Sequence, residues 1–115
     1  MTVGVFVLYS QRTWSEEMIT IRGHYVSAFE VSSFVPLDEG EPGYGKGYWL
    51  TVPEPTNFWQ QLNALFPELD ENQLHQRKVL MTVTGSLSAQ GHYGHLGAYS
   101  HEFVATTIDD MKRYE

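Results

Sequence analysis

Apolar and polar residues alternate along five stretches of the chain, which is the period expected of strands with one buried face. The predicted strands span 17–22, 25–35, 48–52, 78–87 and 101–108. Gly23 marks a bulge or a bend after the first, and Pro36 ends the second because proline cannot donate to a ladder. Residues 1–9 also read as extended, and form either a further strand or an arm that packs on another molecule.

Between the third and fourth strands the apolar residues recur at helical spacing instead. This predicted helix begins near Thr56, a capping residue, and Pro67 ends it. Its apolar stripe is expected to pack in the core and not to form a binding groove: Phe58, Trp59, Leu62, Leu65 and Phe66.

The resulting order, β-β-β-α-β-β, is that of the OB barrel, whose helix closes one end between strands three and four. We therefore predict a mainly β protein with a single five-stranded OB-like barrel; a split barrel or small roll with this order is the alternative. The predicted parts are an N-terminal strand or arm at 1–16, the barrel domain at 17–109 and a polar tail at 110–115.

Composition narrows the classes of function. The 115 residues suit one domain, and the absence of cysteine excludes disulfides and thiolate metal sites. A net charge of −7, with seven scattered basic residues, argues against nucleic acid as the ligand. The longest apolar run, 5–9, is too short to span a membrane. We expect a cytoplasmic protein by default, and a periplasmic one if the N-terminus is a trimmed signal.

Three segments carry a resemblance to a known group of proteins. They are VTGSLSAQGHYGHLGAYSHEF at 83–103, IRGHYVSAFEVSSFVP at 21–36 and YWL at 48–50. Together they resemble small bacterial domains of uncharacterised function that are thought to be OB-like, over roughly 17–108. The resemblance implies the same fold, but it implies no activity and no catalytic residues.

The densest candidate for chemistry is the Gly-rich segment 91–101, which holds three of the five histidines. Imidazoles bind zinc, copper or nickel, and His92, His95 and His101 would be the ligands if a metal is bound. The alternative is that the rings hold the loop through hydrogen bonds to the backbone. Proton transfer is a second enzymatic hypothesis, in which Glu102 or Glu30 orients a histidine.

Glu30 is unusual because it stands between two apolar residues of a predicted strand. We expect it either to face solvent or to pair with a cation such as Arg22. The loop 37–47 is acidic and rich in glycine, which predicts an exposed loop.

Aromatic residues supply the third candidate site. Five rings can form a platform for a sugar, a peptide or a protein surface, or else belong to the core: Tyr25, Tyr48, Trp49, Tyr93 and Tyr99.

The function that these patterns favour is a non-enzymatic binding or protein-interaction module. Its acidity favours a basic protein partner, and inhibition of that partner, as immunity-type proteins do, is one version. A small metal- or His-dependent enzyme using 91–101 and an oligosaccharide or oligonucleotide binder on the barrel face are the alternatives. We assign no cofactor and no catalytic residue, and leave the oligomeric state open, with a dimer through 1–9 as one hypothesis. The candidate binding residues are Tyr48, Trp49, His92, Tyr93, His95, Tyr99 and His101.

Overall fold

The computed structural model describes residues 18–53, 57–70 and 75–114. The elements are β1 (Ile19–Ala28), β2 (Val31–Pro36), β3 (Tyr48–Thr51), α1 (Phe58–Ala64), β4 (Arg77–Leu87), a 3-10 turn (His95–Gly97) and β5 (His101–Arg113). The strands close into a barrel in the order β1-β2-β3-β5-β4. The predicted mainly β barrel, with one helix between its third and fourth strands, is confirmed. The predicted N-terminal strand or arm lies outside the described residues, as does Thr56.

The five seams of the barrel differ in length. β1 pairs antiparallel with β4 from Ile19↔Gly85 to Ser27↔Arg77. β5 lies between β4, to which it is antiparallel, and β3, to which it is parallel. The β2–β3 seam is much the shortest, with only the pairs Ser33↔Trp49 and Phe34↔Tyr48. Few backbone hydrogen bonds therefore join β2 to β3.

The first hairpin turns later than the sequence predicted. β1 continues through Gly23 to Ala28, and the turn lies at Phe29 and Glu30, inside the predicted second strand. Gly23 does not bend the chain. A Cβ there would lie 2.9 Å from Cζ of Phe34 and closer still to the carbonyl oxygen of Val35, so the glycine allows the neighbouring strand to approach.

The last strand is longer than predicted, because it continues past Ile108 to Arg113. Residues 110–113 of the predicted polar tail thus belong to the barrel wall. The pairing with β4 shifts register between Leu80 and Thr82, and Asp110 has a left-handed φ of 56°. This bulge changes the phase of the alternation, which hides the end of the strand from a pattern of period two.

Side chains from all five strands and α1 form one core. The buried cluster is Tyr25, Phe34, Leu50, Phe58, Leu62, Phe66, Val79, Met81, Val83, Phe103 and Ala105. A helix of two turns can bury only one face, and α1 buries Phe58 and Leu62. Trp59 lies about 100° around the helix from Phe58. It remains 40% exposed, so the prediction that it packs in the core is wrong.

None of the helices in the described ranges is long and apolar enough to cross a lipid bilayer.

Candidate functional site

A cleft of about 310 Å³ opens in the barrel wall beside the short β2–β3 seam. The last ladder pair on this side is Ser33↔Trp49. Beyond it, Val31 and Ser32 of β2 and Leu50 and Thr51 of β3 line the cleft. The hydroxyl of Ser32 donates to the carbonyl oxygen of Leu50 at 2.7 Å. A side chain thus takes the place of a ladder hydrogen bond where the two strands diverge.

The floor of the cleft is polar but neutral. Burial raises the pKa of Tyr25 to about 12, so its phenol stays protonated at physiological pH. Because the Ser32 hydroxyl already donates to Leu50, the Tyr25 hydroxyl is the donor in the 3.0 Å bond between them. Tyr25 also meets the ring of Phe58 edge-on, with centroids 5.7 Å apart. The hydrogen bonds from Tyr25 to Ser32 and from Ser32 to Leu50 hold the two hydroxyl groups in fixed positions.

Two tryptophans line the cleft, one from the barrel and one from the helix. Trp49 is held by the loop that follows β4: its ring meets Tyr99 edge-on at 5.3 Å, and a Cβ on Gly94 would lie only 2.9 Å from its Cγ. Trp59 packs edge-on against Phe58 at 5.3 Å and otherwise faces the cleft and solvent. Trp59 is 40% exposed and Trp49 is partly buried, so Trp59 offers the larger apolar surface to a ligand.

One carboxylate lines the cleft, and a second is bonded to a lining residue. Glu30 lines the cleft from the β1–β2 turn, where its φ is 59°. Its Oε1 lies 3.2 Å from Nε2 of His95. Thr51, also in the lining, donates through Oγ1 to Oε2 of Glu102. Within the described part of the chain, no lysine or arginine lines the cleft.

Of the two alternatives expected for Glu30, the solvent-facing one is confirmed, because its side chain is 44% exposed, and the pairing with Arg22 is not. Arg22 lies 3.6 Å from Asp110 and donates to the hydroxyl of Thr82 at 2.9 Å. Glu30 is instead the partner of His95.

The three histidines of the 91–101 loop do not come together. His95 faces Glu30, whereas Nδ1 of His101 lies 2.9 Å from the hydroxyl of Ser100 and its ring meets Tyr48 edge-on. His92 is exposed. Among residues 18–53, 57–70 and 75–114, no three His, Cys, Asp or Glu side chains are grouped so as to hold a metal ion.

The five residues of the predicted aromatic platform do not lie together on one surface. Tyr99 is buried against Trp49, while Tyr25 forms the cleft floor. Tyr48 stacks on Phe103 away from the cleft lining. Tyr93 donates to the carbonyl oxygen of Ala89, which stabilises its own loop. Of the candidate binding residues, Trp49 is the one that lines the cleft.

Trp59 is the main cleft residue that sequence reasoning missed. The signal was present in the helix, because two large aromatics stand side by side at positions 58 and 59. Adjacent residues on a short helix cannot both face the core, so one ring had to lie at its flank.

Comparisons of this chain with family models, with curated proteins and with solved structures each gave no match.

Proposed function

We propose that this OB-like barrel is a non-enzymatic protein-interaction domain whose cleft receives a basic side chain of a partner protein. The observation that carries the proposal is the lining of the cleft: Trp49 and Trp59 together with the carboxylate of Glu30. Indole faces attract lysine and arginine through their quadrupole, and a carboxylate adds a charge-assisted hydrogen bond. The two features together favour a cation over any other ligand.

The charge of the molecule supports the same class of partner. The net charge of −7 favours the approach of a basic protein and disfavours phosphate-rich ligands. Two arginines form ion pairs outside the cleft lining: Arg22 lies beside Asp110, and Arg113 lies 2.9 Å from Glu68. Glu30 is the charged residue of the cleft lining within the described part of the chain.

A binding role also suits the polar groups of the floor. Tyr25 and Ser32 are hydrogen-bonded in a chain that ends on a backbone carbonyl, and the raised pKa of Tyr25 disfavours its use as a base. Such fixed, neutral hydroxyls are suited to orienting a bound group.

The test is titration of the protein with the peptide Ac-Gly-Ala-Arg-Ala-Gly-NH2, followed by tryptophan fluorescence and by ¹⁵N chemical shifts. A single guanidinium group should bind with a dissociation constant of about 1 mM, since small ligands gain little beyond their immobilisation cost. Glu30→Gln should weaken binding about tenfold, because it removes a charge-assisted hydrogen bond. Trp59→Ala should weaken it similarly, with added salt weakening the wild type as well.

The control is Asp109→Asn, which removes the same charge from an exposed position of β5 outside the cleft lining. Equal losses in Glu30→Gln and Asp109→Asn would show a general charge effect and refute the cleft as the site. The oligosaccharide alternative makes the opposite prediction. A neutral trisaccharide would then shift the Trp49 and Trp59 signals, and neither Glu30→Gln nor salt would weaken its binding.

A further inference from the structure

Glu30, which lines the cleft, and Leu96 both hold an unfavourable backbone conformation. Among the described residues, four non-glycine residues have a left-handed φ: Glu30, Asn57, Leu96 and Asp110. Asn and Asp adopt this region at low cost, whereas glutamate and leucine do not. The two residues are connected through one side-chain contact, because Glu30 pairs with His95, the residue before Leu96. The two costly conformations therefore occur at one place.

Large apolar side chains are exposed at the same place. Leu96 is 85% exposed and Phe29, which precedes Glu30, is 58% exposed. Tyr44, 47% exposed, donates to the carbonyl oxygen of His95 at 3.2 Å, and its ring lies 6.0 Å from the His95 ring. We refer to Phe29, Tyr44 and Leu96 as the apolar rim.

The conformation of Leu96 gains little from the rest of the chain. At 85% exposure its side chain has few contacts to offset either the left-handed backbone or the exposure of an isobutyl group. Glycine would adopt the same φ of 56° without strain. Strained and exposed apolar residues beside a cleft are typical of binding surfaces, where the compensating contacts come from the ligand.

We infer that the apolar rim is the second half of the recognition surface and binds apolar side chains flanking the basic residue that enters the cleft. This inference rests on the proposed function. The partner it specifies is a protein segment with a lysine or arginine next to leucine-like residues. Charge complementarity selects this occupant, because Glu30 follows Phe29 in the chain and pairs with His95, which precedes Leu96 and contacts Tyr44. A basic residue between the apolar contacts would give the Glu30 carboxylate a charged partner in addition to His95.

The experiment compares two peptides that differ only in their flanking residues, Ac-Gly-Leu-Arg-Leu-Gly-NH2 and Ac-Gly-Ala-Arg-Ala-Gly-NH2. The wild type should bind the leucine peptide about tenfold more tightly, since each leucine buries additional methyl and methylene groups. Leu96→Gly should reduce that preference to about threefold or less while leaving the alanine peptide within about twofold of wild type. The same variant should melt at a temperature equal to or above that of the wild type, because it relieves the left-handed leucine.

The matched control is Leu37→Ala, at the opposite end of β2, which also removes an exposed leucine and should keep the full preference. An equal affinity of the wild type for the two peptides would overturn the rim inference alone, whereas binding of neither peptide would overturn the proposed function. A lower melting temperature for Leu96→Gly would assign Leu96 a structural role and overturn the inference. Concentration-dependent dimerisation that Leu96→Asp abolishes would identify a second copy as the occupant, and would also overturn it.

Discussion

Gly85 lies on the interior face of β4, where β5 approaches it closely, so Gly85→Ala tests how tightly the barrel is closed. An added Cβ would lie 2.8 Å from Cα of Ala105 and closer still to the carbonyl oxygen of Val104. Carbon atoms prefer a separation of about 3.5–4.0 Å, so β5 would have to move by roughly 1 Å. Both obstacles are backbone atoms, which no change of rotamer can remove.

The expected loss of stability follows from the two strands with which β5 pairs. Val104 pairs with Ser86 of β4 on one side and with Thr51 of β3 on the other, so its displacement strains two seams. Overpacking costs about 1–3 kcal/mol, and each weakened ladder bond adds about 1 kcal/mol. We expect Gly85→Ala to lower the free energy of unfolding by about 3 kcal/mol. For a domain of this size that corresponds to a melting temperature lower by about 10 °C.

The assay is urea unfolding followed by far-UV circular dichroism, together with a thermal melt. Gly43→Ala is the control, because a Cβ there meets only Cδ of Lys46 at 3.7 Å, an ordinary contact. It should change the free energy of unfolding by no more than about 0.5 kcal/mol. If Gly85→Ala fell within about 1 kcal/mol of this control, the claim that β4 and β5 are too close to admit a methyl group would be refuted.

Three further outcomes are expected for the core. The pKa of Tyr25 is raised to about 12 in the folded state, so the unfolded chain loses this proton first as the pH rises. The contribution of Tyr25 to stability is therefore complete below about pH 10, and the free energy of unfolding falls by roughly 2–3 kcal/mol towards pH 12. Tyr25→Phe should flatten this fall in urea titrations at pH 9 and 11. Leu62→Ala should cost about 3 kcal/mol at an unchanged m-value, since Leu62 is fully buried beneath the barrel. Arg77, 2% exposed, donates to the carbonyl oxygens of Asp70 and His75; Arg77→Met should cost about 2 kcal/mol, while the matched Lys78→Met should be nearly neutral in the same assay.

The barrel could be predicted from the sequence where strands have one buried face. β4 shows the reason most clearly, because its odd-numbered residues from Arg77 to Gly85 are all buried and its even-numbered ones are not. The position of the first turn could not be predicted, since Phe29 and Glu30 are not turn-forming residues. Their conformation is imposed by the pairing of β1 with β2, which requires a left-handed φ at Glu30.

The site was less accessible to sequence reasoning than the fold. Trp49 was a candidate as one of the aromatic residues that could form a binding platform. The Glu30–His95 contact joins the first hairpin to a loop far along the chain, and no local pattern encodes such a distance. Trp59 was assigned to the core because a helical stripe does not show which of its edges remains uncovered.

The position of β5 has a consequence for how the chain is made. β5 is the last strand of the barrel to leave the ribosome, yet it pairs with both β3 and β4. Until it arrives, each of those strands presents an open edge, and the nascent chain has no closed wall to hold the hydrophobic core. Because the β3–β5 and β1–β4 pairings join distant parts of the chain, folding should be slow for a domain of this length, on a timescale of milliseconds to seconds. Until the final strand has emerged, the open edges of β3 and β4 are therefore where the nascent chain is most exposed to pairing with other chains.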